Sequence, residues 1–169
     1  MTADSSLDPS VPAPRFLADR MLGKLARWLR ILGYDTAYLP QLSPEGIMRE
    51  GRRQRRLILT RDTRLLRRKD APPFVFVQSD HFREQLQQVV DTLHLDPWRA
   101  LFTRCVECNQ TLEEVAKEEV REQVPGYVWQ TQNKFHRCPQ CHRLYWGATH
   151  RDHVVQELRR LGMVQTDGV

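Results

Sequence analysis

Four short apolar runs, each followed by a segment with helical spacing, succeed one another over residues 16–93. The runs span residues 16–18, 36–39, 57–60 and 74–77. In the first helical segment, which Gly33 ends, the apolar side chains are Leu22, Leu25, Trp28, Leu29 and Leu32. Strands that alternate with helices form a parallel sheet through right-handed crossovers. The sequence therefore predicts the α/β class, with a parallel sheet flanked by helices on both faces.

Acidic residues come just past the ends of the predicted strands. Asp19, Asp62 and Asp80 follow the first, third and fourth strands, and Glu45 opens the helix after the second. The carboxyl ends of parallel strands lie along one edge of the sheet, where ligands bind. We therefore expect these four side chains to converge on that edge.

Carboxylates that converge raise one another's pKa unless a cation neutralises them. Magnesium or manganese usually fills this role, bound by oxygen ligands, water and substrate phosphate. In a basic protein such a site is typical of a nuclease, because arginines bind the phosphate backbone while the metal activates water. The simpler alternative is that each acid only caps a helix or lies in its first turn.

The charge balance of the whole chain also favours a nucleic acid. The sequence has 26 Lys and Arg against 21 Asp and Glu, a formal net charge of +5. This excess favours RNA or DNA as partner, ahead of an anionic membrane surface. No segment approaches the roughly 18 apolar residues that span a bilayer, and the first residues lack an apolar signal core. We expect a cytoplasmic protein.

Basic residues concentrate along the first helix and around Asp62. We predict that four of them contact RNA phosphates: Lys24, Arg27, Arg61 and Arg64. Two alternatives stay open, namely that these runs are solvated helix faces and that Arg61 pairs with Asp62 or a neighbouring acid.

Two Cys-x-x-Cys pairs occur in the last third of the chain, and they carry the most specific pattern in it. The cysteines are Cys105, Cys108, Cys138 and Cys141. Two such pairs close a tetrahedral structural zinc site, so we predict a zinc ribbon. Disulfides and a redox dithiol are the weaker alternatives in a reducing compartment. Between the pairs the pattern predicts a charged helix over residues 112–123 and a strand over residues 127–132.

Aromatic and imidazole side chains near the second pair have two interpretations. Phe135, Tyr145 and Trp146 either stack on bases or form the core of a small domain. The histidines are spare metal ligands or face the surface or RNA: His136, His142, His150 and His153.

Composition divides the chain into three parts. Residues 1–14 are rich in Pro, Ser and Asp and are predicted to be a disordered leader. Residues 15–96 form the α/β domain, and Asp96-Pro97-Trp98 is a predicted hinge. Residues 97–169 hold the zinc ribbon and a last helix, over residues 154–161, that we expect to pack on the body.

The segments FLADRMLGKLARWLRILGYDT, LILTRD, RCVEC and FHRCPQCHRLYWG together resemble the Mut-seven C-terminal RNase family over roughly residues 15–155. The resemblance implies a PIN-like fold with an attached zinc ribbon, acids that bind one or two divalent ions, and hydrolysis of RNA. Asp19 and Asp62 match the acidic pattern by position, and so does Asp80. Relatives carry aspartates before the second helix, where this chain has LPQLSPEG and Glu45 alone.

Two functions of different classes follow. In the first, a metal-dependent ribonuclease, Asp19 and Asp62 hold magnesium or manganese, and Glu45 and Asp80 complete the metal shell or orient water. In the second, the PIN-like body is a non-catalytic RNA- or ribosome-binding protein with the zinc ribbon as its recognition surface. A third reading, a protein adaptor without nucleic acid, is disfavoured by the charge.

Overall fold

The computed structural model describes residues 12–147 and 149–163. Most of the predicted leader, residues 1–11, lies outside this part of the chain. None of the helices in the described part is long and apolar enough to cross a membrane.

Four parallel strands form the central sheet. They are β1 (Phe16–Ala18), β2 (Thr36–Tyr38), β3 (Leu57–Thr60) and β4 (Phe74–Phe76). Their order across the sheet is β2-β1-β3-β4, so β1 and β3 are adjacent inner strands. The predicted parallel sheet is confirmed.

Four helices accompany these strands. They are α1 (Gly23–Ile31), α2 (Pro44–Gln54), α3 (Thr63–Leu66) and α4 (Phe82–Thr92). Successive strand residues point to opposite faces of the sheet. Phe16 and Leu59 pack with residues of α1 and α4, whereas Leu17 and Ile58 pack with residues of α2 and α3. Helices therefore cover both faces, as the sequence predicts.

Gly33 ends α1 and holds the following segment close to it. Its φ of +90° lies in the left-handed region, and a Cβ there would be 2.1 Å from the carbonyl oxygen of Ala100. The neighbouring Phe102 N–H donates to the Ile31 carbonyl over 2.8 Å. The chain beyond α4 is therefore docked against the carboxyl-terminal end of α1.

A second, antiparallel sheet lies in the last third of the chain. Its strands are β5 (Glu113–Val115), β6 (Phe135–Arg137) and β7 (Leu144–Trp146), in the order β5-β6-β7. A helix, α5 (Gly126–Thr131), covers a small core. The buried residues of this core are Val120, Val124, Val128 and Phe135.

The predictions of a helix over residues 112–123 and a strand over residues 127–132 are both wrong. Residues 112–123 form β5 and a short 3-10 turn, Lys117–Val120, because pairing of Val115 with Phe135 overrides the helix propensity of Glu and Lys. Residues 127–132 belong mostly to α5, where the Pro125 carbonyl accepts from the first turn. In a segment this short, spacing does not separate a helix from a strand.

The last helix, α6 (Thr149–Arg160), packs on the body as predicted. Val154 and Leu158 are fully buried in the larger core. Beside them the buried Glu157 carboxylate pairs with Arg83 of α4. This ion pair links α6 to α4.

Candidate functional site

A cleft of about 440 Å³ opens at the carboxyl ends of β1 and β3. We call it the strand-end cleft. Residues after β1, residues after β3 and the start of α2 line it. The polar side chains of the lining are Asp19, Arg20, Ser43, Thr60, Arg61, Asp62, Thr63 and Arg64. The cleft lies at the sheet edge where the sequence predicts the site.

Asp19 is held rigidly in the wall of this cleft. Its Oδ1 accepts a hydrogen bond from the Met21 N–H (2.8 Å), and its Oδ2 accepts from the Thr60 hydroxyl (2.7 Å) and the Arg61 N–H (2.8 Å). The residue is only 7% exposed. Oδ2 is thus fully used, whereas Oδ1 retains an acceptor position.

Thr60 joins the two aspartates of the cleft. Its hydroxyl donates to Asp19 and accepts from the Asp62 N–H over 2.9 Å. The sequence reasoning treats Thr60 only as the last strand residue and misses this role. The sequence feature that indicates this role is the position of Thr60 between an apolar strand and an acid in LILTRD.

Asp62 both caps a helix and forms an ion pair. It is the N-cap of α3, accepting from the Arg64 N–H over 3.0 Å. The Arg64 guanidinium lies against the same carboxylate, with one nitrogen 2.6 Å from Oδ2. This hydrogen bond lowers the pKa of Asp62, although partial burial opposes the effect. Asp62 therefore caps α3, and its carboxylate is also paired with Arg64.

Glu45 and Asp80 do not line the strand-end cleft. The exposed Glu45 carboxylate is 3.8 Å from the Arg68 guanidinium. Asp80, with its side chain 79% exposed, faces His81 at 3.6 Å. Of the four acids in the prediction, the structure brings Asp19 and Asp62 together in this cleft.

The four basic residues of the prediction divide in the same way. Arg61 and Arg64 line the cleft, and one terminal nitrogen of Arg61 is buried without a hydrogen-bond partner among the described residues. Lys24 and Arg27 lie on the exposed side of α1, over the Phe82 ring and against Glu107 respectively. Arg20, which follows Asp19 in the sequence, also lines the cleft. The sequence prediction does not include it.

The donor set of the cleft fits one hard divalent cation. Magnesium is commonly bound through one or two carboxylates, with water and substrate phosphate completing its shell. Asp19 Oδ1 accepts one hydrogen bond and retains a further acceptor position, and the Arg64 side chain that pairs with Asp62 is 69% exposed. Hydroxyls of Ser43 and Thr63 lie in the same lining.

The four cysteines form a tight cluster. Their sulfur atoms lie within 4.8 Å of one another, and all four are free thiols. The backbone N–H of Cys108 donates to the Cys105 sulfur, and that of Cys141 donates to the Cys138 sulfur. In the described part of the chain, this is the one group of three or more His, Cys, Asp or Glu side chains whose ligand atoms are close enough to share a metal ion. The cluster is compatible with a zinc site.

The electrostatics of the cluster also favour a cation. Burial opposes ionisation of Cys105, but hydrogen bonds from the Tyr145 hydroxyl and the peptide groups of the knuckle outweigh it and lower the pKa to about 7. The pKa of Cys108 is raised to about 12, first by its hydrogen bond with Cys141. Thiols this close ionise together only when a positive ion offsets their repulsion.

Comparison with protein families identifies the chain. The model of the Mut7-C RNAse domain matches residues 14–158. The chain belongs to the Mut7-C RNAse domain family. Membership points to a nuclease-like function with RNA as substrate class. Neither the curated proteins nor the solved structures contain a match to it.

In this Mut7-C RNAse domain, Asp35 links the cysteine cluster to the central sheet. Its carboxylate accepts from Arg56 over 2.7 Å and from the Asn109 amide over 2.6 Å. Asn109 follows the first cysteine pair, and Arg30 of α1 donates to the Val106 carbonyl within that pair. The sequence analysis does not single out Asp35 for this role.

Replacing Asp35 with Asn is expected to destabilise the fold by about 1–2 kcal/mol, because the charge-assisted bonds to Arg56 and Arg15 weaken. Burial opposes ionisation of Asp35, but its hydrogen bonds lower the pKa from 3.8 to about 2. The stabilisation is therefore complete above pH 4 and disappears as the pH falls through 2. Thermal unfolding measures it.

Asp91→Asn is the matched control, because among the described residues the exposed Asp91 carboxylate hydrogen-bonds only to Gln87. A melting temperature for Asp35→Asn equal to that of Asp91→Asn at pH 7 would contradict the role of Asp35.

Proposed function

We propose that this Mut7-C RNAse domain is a divalent-metal-dependent ribonuclease with a PIN-like body. One observation carries the proposal: Asp19 and Asp62 line the same cleft, where the Thr60 hydroxyl bonds to the Asp19 carboxylate and to the backbone N–H of Asp62. A pair of oriented carboxylates beside arginines suits phosphodiester hydrolysis, because it positions a metal ion and a phosphate against each other.

Asp19 and Asp62 would hold magnesium or manganese, which supplies an activated water and stabilises charge on the leaving oxygen. Arg61 is suited to bind the phosphate, since it lines the cleft and one of its terminal nitrogens lacks a hydrogen-bond partner in the described part of the chain. Arg20 adds a second positive charge to the same wall.

Arg64 regulates access to Asp62 in this proposal. Its guanidinium pairs with the carboxylate but is largely exposed, so the pair contributes little to stability and opens at low cost. An RNA phosphate offers Arg64 an alternative partner of the same charge. Binding of RNA would thus expose Asp62 at the moment when the metal site is needed.

The roles predicted for Glu45 and Asp80 stay predictions, because both side chains lie outside the cleft lining. We also propose that the four cysteines hold one structural zinc ion, which their clustering supports. Free thiols of this kind suit a reducing compartment such as the cytoplasm.

Cleavage of a mixture of tRNA and ribosomal RNA with added manganese tests the function. Wild type is expected to cut, and Asp62→Asn to lose about 10²-fold or more of the rate while binding RNA with similar affinity. Asparagine caps a helix as well as aspartate, so this change removes charge and leaves the α3 cap. Asp91→Asn is the matched control and is expected to retain activity, because Asp91 is exposed on α4 and lies outside the cleft lining.

One observation favours the second function, a non-catalytic RNA- or ribosome-binding protein. The Asp62 carboxylate is already neutralised by Arg64, so the cleft is electrostatically satisfied without a metal ion. If wild type and both variants bind RNA equally in a salt-dependent way and none cuts, this function replaces the ribonuclease.

A further inference from the structure

A second cavity, of about 610 Å³, lies where the antiparallel sheet meets the chain beyond α4. We call it the junction cavity. Leu101, Phe102 and Thr103 form one side, and Tyr145, Trp146 and Gly147 form another. The cysteine cluster supports its wall, because the Tyr145 hydroxyl lies 3.1 Å from the Cys105 sulfur.

The lining of the junction cavity combines aromatic rings with positive charge. Trp146 is 39% exposed although it ends a strand, whereas Phe135 on the neighbouring strand is fully buried. The structure thus separates the two interpretations of these aromatics: Phe135 is core, and Trp146 presents its ring to the cavity. Lys134 and Arg151 supply the cations, and the described residues of the lining include no Asp or Glu.

Such a lining matches an unpaired nucleotide. Aromatic rings stack on any base, and a positively charged groove binds the backbone that carries it. The amides of Gln132 and Asn133 belong to the same lining and can donate to and accept from a base edge. Arg151 already lies over the Phe102 ring, 5.7 Å from its centroid, so it is placed between ring and solvent.

The two cavities lie at opposite ends of α1. The helix begins just after Asp19 and Met21 of the strand-end cleft and ends at Ile31, whose carbonyl binds the Phe102 N–H. Nine helical residues separate the ends by about 14 Å. Lys24 and Arg27 lie on the exposed side of α1 between them. At about 3.4 Å for each stacked nucleotide, about four nucleotides cover this distance.

We propose that the junction cavity binds an unpaired nucleotide of the same RNA strand whose phosphate enters the strand-end cleft, an inference that rests on the proposed ribonuclease function. The RNA runs along the exposed side of α1, past Lys24 and Arg27. The chain therefore recognises single-stranded RNA by one base held at a fixed distance from the cleavage site.

Affinity measurements on the Asp62→Asn protein, in which we expect cleavage to be slower by about 10²-fold or more, test this inference. The probe is a fluorescein-labelled single-stranded RNA of 12 nucleotides, followed by anisotropy. Trp146→Ala is expected to weaken binding about 5- to 100-fold, and Trp146→Phe to restore most of the loss. Tyr127→Ala is the matched control and is expected to bind as the parent does, because Tyr127 is 70% exposed and lies outside both cavities.

Two further affinity measurements vary the length and the base pairing of the RNA probe. A dinucleotide cannot span α1 to occupy both sites, so it should bind more weakly than the 12-mer. A blunt-ended RNA duplex of two separate strands offers no unpaired base, and its binding should be insensitive to Trp146→Ala. AMP is the remaining probe: binding of AMP as tight as that of the 12-mer and equally dependent on Trp146 would point to a free nucleotide and overturn the inference.

Failure of this inference is distinguishable from failure of the ribonuclease. Equal affinity of the Trp146→Ala and parent proteins for the 12-mer, with both melting at the same temperature, overturns the junction cavity as an RNA site even when wild type cuts RNA. Loss of affinity with Trp146→Ala in a chain whose wild type does not cut supports the cavity and removes the catalytic proposal.

Discussion

Removal of zinc from the cysteine cluster is expected to lower the melting temperature of the chain by more than about 10 °C. Structural zinc contributes about 10–16 kcal/mol in zinc-finger peptides, and about 3–5 kcal/mol produces this shift in a chain of this size. Cys105 and Cys138 are fully buried, so water does not replace the ion at their sulfur atoms when the ion leaves.

The loss should spread beyond the antiparallel sheet. Arg30 is buried and donates to the Val106 and Glu107 carbonyls, and Asn109 bonds to Asp35 and to the Thr36 N–H. Val106, Glu107 and Asn109 lie in or beside the first cysteine pair. When the knuckle loosens, Arg30 loses acceptors in a buried position, which costs more than an exposed bond would.

Native mass spectrometry measures the ion, and thermal unfolding measures its effect. We expect one zinc ion for each chain, a lower melting temperature with chelator or with Cys138→Ser, and recovery after chelation with zinc but not with magnesium. Tyr145→Phe, which keeps all four sulfur ligands, should retain zinc. A metal-free chain with an unchanged melting temperature in chelator would contradict the site.

The part of the site that local sequence predicts is the pair Asp19 and Asp62. Each follows an apolar run directly, and the carboxyl ends of parallel strands share one edge, so pattern and topology together suffice. The same holds for the end of α1 at Gly33, where a positive φ selects the residue type.

Strand order explains why Asp80 is not with them. The order β2-β1-β3-β4 makes β1 and β3 neighbours and places β4 at the edge of the sheet. Asp80 lies three residues beyond Val77, in the loop that leads to α4, and so its side chain points to solvent. Neither the order nor the path of this loop can be read from spacing.

Long-range partners explain the other residues that sequence reasoning misses. Asp35 pairs with Arg56, 21 residues away, and with Asn109, 74 residues away. Thr60 bonds to Asp19 across 41 residues. Such contacts depend on packing of whole elements, whereas local patterns report only helices, strands and turns.

Asp19→Asn is expected to have the largest effect on cleavage, a loss of more than about 10²-fold, because it changes the most firmly held carboxylate of the strand-end cleft. Both of its oxygens accept hydrogen bonds, from the N–H groups of Met21 and Arg61 and from Thr60. An asparagine amide turns a donor toward one of these donors, so we also expect destabilisation of about 1–3 kcal/mol.

A direct measure of metal binding separates these two effects. Manganese titration by calorimetry, below the melting temperature of the variant, should show affinity at least about 10-fold weaker than in wild type if Asp19 is a ligand. Thr60→Val removes the hydroxyl that orients Asp19 but keeps the carboxylate, and should weaken manganese binding less than Asp19→Asn. Equal manganese affinity in wild type and folded Asp19→Asn would make Asp19 a structural residue, whose bonds to Met21, Thr60 and Arg61 only hold the ends of β1 and β3 together.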